Sequence, residues 1–295
     1  MKTKLLQRIL ILALGIVFCR CSADTADDTT TITSGRVNTS GKYSFKYGKL
    51  EASIKLPTTA NGLWPAFWML GSNINSGASV GWPRCGEIDI IEMGSKTGID
   101  AGTQDRLFTG ATHWGTISPI SPDGSHPNYA ITPTNTYSLQ DDDFHLFTLK
   151  WDENYIRMYL DIDKYPTVAP YYEIFINEEL KEYFTKDFFI LFNLAVGGDF
   201  PQIYNINQVT ALNAQNNYEA SMYVDFVRVY SESNELLWED NFDSSTIDAN
   251  KWNIEENSDG GGNNELQTYT RENVAITVEP KSGKKCLTLT AKREE

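Results

Sequence analysis

The sequence predicts an all-β protein, an antiparallel sandwich of two sheets of the jelly-roll kind. Three observations favour this fold class. Several segments alternate apolar and polar residues, as half-buried strands do, and Lys49 to Leu56 is one example. Phe188 to Val196 is almost continuously apolar, which is typical of a strand covered on both faces. Only Asn177 to Phe184 has a helical pattern, so the alternation of helices and strands that marks parallel sheets is missing.

The remaining predicted strands follow in chain order, each bounded by residues that interrupt β structure. Pro57 stops the first strand, because proline cannot donate to a ladder. The turn 152–154 separates two further strands, and Gly197-Gly198 ends the apolar one. The predicted strands after the first span residues 87–92, 147–151, 155–160, 188–196, 222–230 and 286–291.

The first 31 residues are predicted to lie outside the fold. Basic residues precede the apolar run Ile9 to Cys19, which is too short to span a bilayer and is typical of a secretory signal. We therefore predict a signal peptide over 1–21, an acidic, threonine-rich tether over 22–31, and one catalytic domain over 32–295. The protein is expected to be secreted, periplasmic or at the cell surface. Cys19 and Cys21 are candidate lipidation sites, so a lipid anchor is an alternative to free secretion.

Charge and cysteine content narrow the range of partners. The chain of 295 residues carries a formal charge of −14, which argues against nucleic acid and anionic membranes and favours an uncharged substrate. Cys85 and Cys286 are expected to be buried thiols, since two cysteines do not make a disulfide scaffold. We expect no transmembrane segment, a monomer, and no cofactor for catalysis.

The segment Glu87 to Glu92 places three carboxylates in a six-residue, isoleucine-rich strand. Alternation puts Glu87 and Asp89 on one face but turns Glu92 into the core, where an unpaired charge is costly. One extra residue at Ile90-Ile91, a β-bulge, returns Glu92 to the face of the other two acids. Two glutamates that flank one bond are the apparatus of retaining glycosidases. The alternative is an acidic patch on a solvated strand.

Several longer motifs resemble glycoside hydrolase family 16, in particular its laminarinase-like endo-β-1,3-glucanases. The matching segments are 34–37, 62–71, 85–93, 112–115, 193–198 and 223–230. By motif position the resemblance implies Glu87 as the nucleophile and Glu92 as the acid/base. Asp89, between them, is interpreted as holding Glu87 in place and raising the proton affinity of Glu92, although it could be a bystander.

Substrate-binding residues are predicted on two grounds. Trp64 and Trp68 lie four apart in a strand, hence on one face, where flat rings can stack on sugars, although core filling is the alternative for either. Trp82 and Trp114 are either sugar platforms or core residues. The resemblance adds four polar residues that would contact sugar hydroxyls, namely Arg36, His113, Asn264 and Glu265. It also implies a candidate structural calcium held by Glu239, the carbonyl of Gly283, and Asp225.

The order of the segments departs from the family. The stretch Leu236 to Asp243 resembles the family's opening segment, yet here it follows the closing strand 223–230. The whole of 236–295 is similar to the family's first sixty or so residues, so the chain is predicted to be circularly permuted. Termini of a domain usually lie close together, which makes such a change physically cheap. The alternative is a separate C-terminal binding module.

Taken together, these features predict a secreted, retaining endo-β-glucanase that acts on β-1,3-glucan, on mixed-linkage β-1,3-1,4-glucan, or on both. One alternative is a non-catalytic glucan-binding lectin on the same sandwich, although the presence of both glutamates disfavours it. Another is an agarase or other galactan hydrolase of the same family. Transglycosylation is a third, because sugar need only compete with water for the intermediate.

Overall fold

The computed structural model describes residues 30–74, 80–115, 126–257 and 261–294, and these form two packed sheets. The predicted jelly-roll sandwich is confirmed. The signal peptide, Cys19, Cys21 and nearly all of the predicted tether lie outside the described residues. No helix in the described ranges is long and apolar enough to cross a membrane.

The larger sheet has ten strands within the described residues. The order along its main path is β10-β9-β8-β3-β12-β17-β1-β15, with β13 beside β12 and β16 beside β17. These strands are β1 (Thr31–Ser34), β3 (Gly48–Lys55), β8 (His145–Trp151), β9 (Tyr155–Leu160), β10 (Tyr172–Phe175), β12 (Glu219–Tyr230), β13 (Leu236–Asp240), β15 (Thr268–Tyr269), β16 (Val274–Val278) and β17 (Lys285–Glu294).

The smaller sheet has seven described strands in the order β14-β2-β11-β4-β5-β6-β7 and carries the acidic strand at β5. Its members are β2 (Arg36–Asn38), β4 (Leu63–Gly71), β5 (Glu87–Met93), β6 (Phe108–His113), β7 (Asn128–Ile131), β11 (Phe188–Val196) and β14 (Asn253–Ile254). β11 is buried along its whole length, as its apolar run predicts.

Helices are few and short in the described part of the chain. They are α1 (Lys96–Ala101), α2 (Glu178–Phe184) and three 3₁₀ turns at Ile206–Gln208, Ala214–Asn216 and Arg271–Asn273. The predicted helix is α2, and it begins where the Asn177 side chain accepts a hydrogen bond from the backbone N–H of Leu180. α1 is too short to have left a periodic signal in the sequence.

One apolar core lies between the sheets and fixes which face of each strand is free. Ile88, Ile90 and Ile91 of β5 are fully buried in it. The outer face of the smaller sheet is therefore left for the polar residues of β5. Cys85 and Cys286 are both buried and unpaired, as predicted.

The C-terminal segment supplies strands to both sheets. β17 pairs with β12 and β1, while β14 pairs with β2 in the other sheet. The start of β1 lies opposite the end of β17, with Thr31 beside Glu294 in an antiparallel register. A short hairpin loop would span those two positions. We therefore propose that residues 236–294 belong to the same domain as residues 32–230 and that the chain is a circular permutant.

Candidate active site

A β-bulge in β5 turns all three acids toward the same face. Against β6, Asp89 lies opposite Ala111 and Glu92 opposite Thr109, so two residues of β5, Ile90 and Ile91, face one residue of β6. Against β4, Ile91 and Asp89 have partners while Ile90 is skipped. The predicted bulge at Ile90-Ile91 is confirmed. The hydroxyl of Tyr171 donates to the carbonyl of Ile90, which gives that carbonyl, buried between the sheets, a partner.

Glu92 is held by a tryptophan of the neighbouring strand. Trp64 Nε1 donates to Glu92 Oε1 at 3.0 Å. Burial, and after it the charge of Asp89, raises the pKa of Glu92 from 4.5 to about 8, although His113 and the Trp64 N–H oppose the rise. A carboxyl group with this pKa stays protonated at neutral pH and can act as a general acid.

Glu87 lies at the other end of the acidic strand and has its own indole partner. Trp82 Nε1 donates to Glu87 Oε2 at 3.0 Å, and His113 Nε2 lies 3.9 Å from Glu87 Oε1. Burial and the charge of Asp89 hold the pKa of Glu87 well above its ordinary value, while His113 and the Trp82 N–H act against the shift. The three acids therefore titrate as a group, and a negative charge on one keeps protons on the others.

Asp89 sits between the glutamates and is the most buried of the three, with 4% of its surface exposed. Its Oδ2 has no hydrogen-bond partner but lies 3.2 Å from His113 Nε2, and burial holds the pKa of Asp89 well above its ordinary value. His113 Nδ1 is in turn 2.7 Å from His126 Nε2. Oxygen and nitrogen atoms of Glu87, Asp89 and His113 converge within 4.8 Å, which we attribute to acid–base chemistry.

These side chains lie at the floor of a cleft of about 720 Å³ that crosses the strands of the smaller sheet. Five of the six residues predicted to bind substrate line it, namely Trp64, Trp68, Arg36, His113 and Glu265. Further lining side chains include Trp82, His126, Asn193, Asp199, Phe200 and Asn263. A cleft of this size that is open to solvent accommodates a chain of several sugar units.

The rings of Trp64 and Trp68, predicted to stack on sugars, contact protein side chains instead. Trp64 is only 9% exposed, because Phe200 stacks on it with ring centroids 4.9 Å apart. The Arg36 guanidinium lies 5.0 Å from the ring centre of Trp68, whose Nε1 donates to Asn193 Oδ1 at 2.6 Å. The exposed indole of the cleft is that of Trp82, at 39%. Trp114 packs edge-on against Phe184.

The C-terminal segment contributes one wall of the cleft through Glu265. Its carboxylate accepts hydrogen bonds from Gln267 Nε2 at 2.6 Å and from the Tyr269 hydroxyl at 3.2 Å. Asn264 is not among the lining residues, and its amide donates to Asp199 at 3.0 Å. Asn263 and Asn264 both adopt positive φ angles, of 51° and 55°, and of the two it is Asn263 that lines the cleft.

Sequence reasoning missed Asn193, Asp199, Phe200 and His126 as cleft residues. Asn193 falls within an apolar strand, at the start of the matching segment 193–198. Its amide bridges Trp68 and the hydroxyl of Tyr269, to which it donates at 3.2 Å. An uncharged amide inside a run of nine buried residues is a signal that could have identified it, since buried polar groups need partners.

The two carboxylates predicted to bind calcium take part in separate ion pairs. Asp225 lies 2.5 Å from Lys284 Nζ, and Glu239 lies 3.3 Å from Arg228 Nε. A cation bound between the two carboxylates would have to displace Lys284 and Arg228. This arrangement does not fit a bound calcium, and that site stays a prediction.

The fold and the cleft define a class of protein: a jelly roll whose concave sheet presents paired glutamates on a bulged strand, the type of site that glycosidases use. Residues 20–173 match the family model described as glycosyl hydrolases family 16. The chain belongs to this family.

Solved and curated relatives agree with the family assignment. A family 16 protein from the mixed linkage glucan PUL of Bacteroides ovatus, in complex with a G4G4G3G product, is 39% identical, with a TM-score of 0.57 over 67% of this chain and 79% of its own. Glucan endo-1,3-beta-glucosidase A1 of Niallia circulans is 31% identical over 68% of this chain and 26% of its own length. A beta-1,3-glucan-binding protein of Penaeus monodon is 34% identical over 57% and 47%. The chain spans between 25% and 62% of the length of curated relatives of this kind.

Proposed function

We propose that the protein is a retaining endo-β-glucanase that works by double displacement. The observation that carries this proposal is that Glu87 and Glu92, turned to one face by the bulge, line the same cleft and each accept an indole N–H. Ionised Glu87 attacks the anomeric carbon while protonated Glu92 gives its proton to the leaving oxygen. Glu92, now ionised, then takes a proton from the water that releases the sugar from Glu87.

The order of the motif supports the division of roles, because it assigns the nucleophile to Glu87. The charge of an ionised Asp89 also keeps the proton on Glu92. His113 Nε2 lies 3.2 Å from Asp89 Oδ2 and 3.9 Å from Glu87 Oε1, so the imidazole is close to the nucleophile and to the aspartate beside it.

We propose β-glucans that contain β-1,3 linkages as substrates, with mixed-linkage β-1,3-1,4-glucan included. Support comes from the names of the relatives, since the structural neighbour holds a mixed-linkage product and the Niallia circulans relative is named for β-1,3-glucan. An acidic chain also favours a neutral polymer over a sulfated one. We further propose that it is exported, as the predicted signal peptide implies, and that it acts as a monomer.

A glucan-binding protein without activity is the second candidate, favoured by the resemblance to the Penaeus monodon protein. One experiment distinguishes the hydrolase from the inactive binding protein. Laminarin, lichenan, agarose and carrageenan are incubated with the protein and the products are sized, while NMR follows the anomeric configuration of the first product. We expect shorter oligosaccharides from laminarin and lichenan, with the β configuration retained. Binding without any shortening would support the lectin, and an inverted product would exclude double displacement.

A further inference from the structure

Each catalytic glutamate accepts one hydrogen bond from an indole. Trp64 Nε1 lies 3.0 Å from Glu92 Oε1, and Trp82 Nε1 lies 3.0 Å from Glu87 Oε2. The two tryptophans come from different elements, Trp64 from β4 and Trp82 from the loop before β5. Two separate parts of the chain thus place the same kind of donor on the two carboxyl groups.

An indole nitrogen can only donate, and this restricts where the proton of a carboxyl group can sit. The carbonyl oxygen of a carboxylic acid is a stronger acceptor than its hydroxyl oxygen, so an indole N–H favours the form whose proton sits on the other oxygen. The acid form of Glu92 is therefore favoured with its proton on Oε2. In Glu87 the indole occupies Oε2, which leaves Oε1 as the oxygen without an indole partner.

We propose, on the basis of the proposed glycosidase function, that Trp64 and Trp82 are positioning residues that select the reacting oxygens. Glu87 Oε1 forms the bond to the anomeric carbon as the bond from that carbon to the leaving oxygen breaks. The proton on Glu92 Oε2 moves to the leaving oxygen, and Glu92 is left as the anion. Charge and protons balance within the two glutamates and the substrate, and no further reactant is required.

The two indole hydrogen bonds also lower the proton affinity of both glutamates. This helps the nucleophile but works against the acid/base. A donor stabilises the carboxylate and lowers its pKa, as both indoles do here. Trp82 therefore favours the ionised state that a nucleophile needs. Trp64 limits how far the acid/base can be shifted toward its protonated state. The charged and titratable groups that face the pair are Asp89 on the same strand, His113 on β6, Arg36 on β2, His126, Glu265 in the C-terminal segment, Asp199, and Cys85 beside Glu87.

Trp68 provides a matched control on the same strand. It lines the same cleft, and its Nε1 donates at 2.6 Å, but to the neutral amide of Asn193. Replacing Trp68 by phenylalanine removes an indole donor from the cleft without removing one from a catalytic carboxyl group. Any general effect of losing an indole is therefore shared by all three variants.

The test compares the pH dependence of kcat/KM for Trp64→Phe, Trp82→Phe and Trp68→Phe on a β-glucan oligosaccharide. Under the proposed roles, activity is lost at low pH as Glu87 gains a proton and at high pH as Glu92 loses one. We expect Trp64→Phe to move the basic limb up by about one pH unit, the effect of losing one hydrogen bond to a charged group. Trp82→Phe should move the acidic limb up by roughly half a unit, because water can replace this exposed donor. Trp64→Phe should thus widen the pH profile, and Trp82→Phe should narrow it.

Two outcomes would overturn the proposal: limbs that stay in place in both variants, or a shift in Trp68→Phe equal to theirs. Because Phe200 packs on Trp64, the Trp64 variant is checked for folding by thermal unfolding, and Trp82→Phe, at an exposed side chain, decides alone if that check fails. Titration of ¹³C-labelled glutamate carboxyls by NMR gives the same two pKa values without turnover. If the protein cleaves no glucan, the proposed function is refuted, but the NMR titration still tests the proposal about the indoles.

Discussion

Buried carboxylates occur in two regions of this molecule, and the groups around them shift their pKa values in opposite directions. In the cleft, Glu87, Asp89 and Glu92 face one another, and the pKa of each is raised. In the turn between β16 and β17, at the edge of the larger sheet, Glu279 is 2% exposed but accepts backbone N–H groups of Lys281 and Ser282 together with Lys55 Nζ at 2.9 Å. Burial alone would raise the pKa of Glu279, yet these donors lower it to about 2.

Asp161 follows the pattern of Glu279. Burial is the largest influence and disfavours its charge, but the His145 imidazole at 2.8 Å, the Leu146 backbone N–H and the Tyr137 hydroxyl together hold its pKa below the ordinary value. Burial is therefore shared by both regions and cannot explain the difference between them. A buried carboxylate that accepts several hydrogen bonds and has no like charge nearby stays ionised and stabilises the fold. A buried carboxylate that faces like charges and accepts few hydrogen bonds has a raised pKa and is suited to acid–base chemistry.

The largest difference between the regions should appear in catalysis. We expect Glu87→Ser and Glu92→Gln each to reduce kcat about a thousandfold or more, because a nucleophile or a proton donor is lost, while oligosaccharide binding survives. Azide should rescue Glu87→Ala and give a product of inverted configuration. Glu279→Gln serves as the control, with near-normal kcat per folded molecule. Near-normal turnover in Glu87→Ser would show that the roles are misassigned.

The bulge should tolerate a deletion better than an insertion. Deleting Ile91 removes the bulge but keeps the second glutamate on the cleft face, so measurable activity with a shifted substrate preference is expected. Adding one residue turns Glu92 into the core, where an unpaired carboxylate is costly, and should abolish activity and lower the Tm. Rates on laminarin and lichenan measure both. Equal damage from the two changes would contradict the register described for β5.

In the structural region the main effect should be on stability. Lys55→Met leaves Glu279 as a buried charge without its cation, and we expect a loss of about 3 kcal/mol, roughly 5–10 °C in Tm. The double variant Lys55→Met/Glu279→Met should recover part of this loss, because the buried charge is removed. The recovery is incomplete because the backbone N–H groups of Lys281 and Ser282 are left without their acceptor. Lys281→Met, which breaks an exposed pair with Asp142, is the control and should change the Tm very little. Thermal unfolding and kcat are measured together, and a fall in kcat per folded Lys55→Met molecule would contradict the separation of the regions.

The two regions should also give opposite pH dependences of stability. Glu279 stabilises the fold above the unfolded pKa of 4.5, and this contribution is lost as the pH falls toward about 2. Glu92 stays protonated in the fold up to about pH 8, so between pH 4.5 and 8 the folded state binds more protons and stability declines as the pH rises. Glu92→Gln should therefore flatten the decline in Tm over that range. An unchanged pH dependence would show that Glu92 is not held in its neutral form.

The smallest effect is expected from undoing the proposed circular permutation. A chain that starts at Leu236, continues from Glu295 through a short loop into Thr31 and ends at Tyr230 keeps every strand pair, because Thr31 already lies beside Glu294. Its Tm should stay within a few degrees and its kcat should be unchanged. Failure of this chain to fold, with a soluble product from residues 32–230 alone, would favour the two-domain alternative.

Local patterns in the amino-acid sequence determined much of this protein. The two-residue period of strands, the proline and glycine boundaries and the short helical pattern from Asn177 are properties of neighbouring residues, so they can be read from the chain. The bulge also followed locally, because a glutamate at position 92 would otherwise be buried. The family motifs added the roles of Glu87 and Glu92, which stay predictions until they are measured.

Tertiary structure decided what each side chain meets. Position in a strand placed Trp64 on the cleft face, but only packing brought Phe200 onto its ring and its N–H onto Glu92. The same holds for Glu279, whose low pKa depends on Lys55 from a distant strand. A sequence sets the face and register of a residue through short-range geometry. Burial, partners and proton affinity depend on atoms from remote segments, because electrostatic and packing energies are set by distance in space.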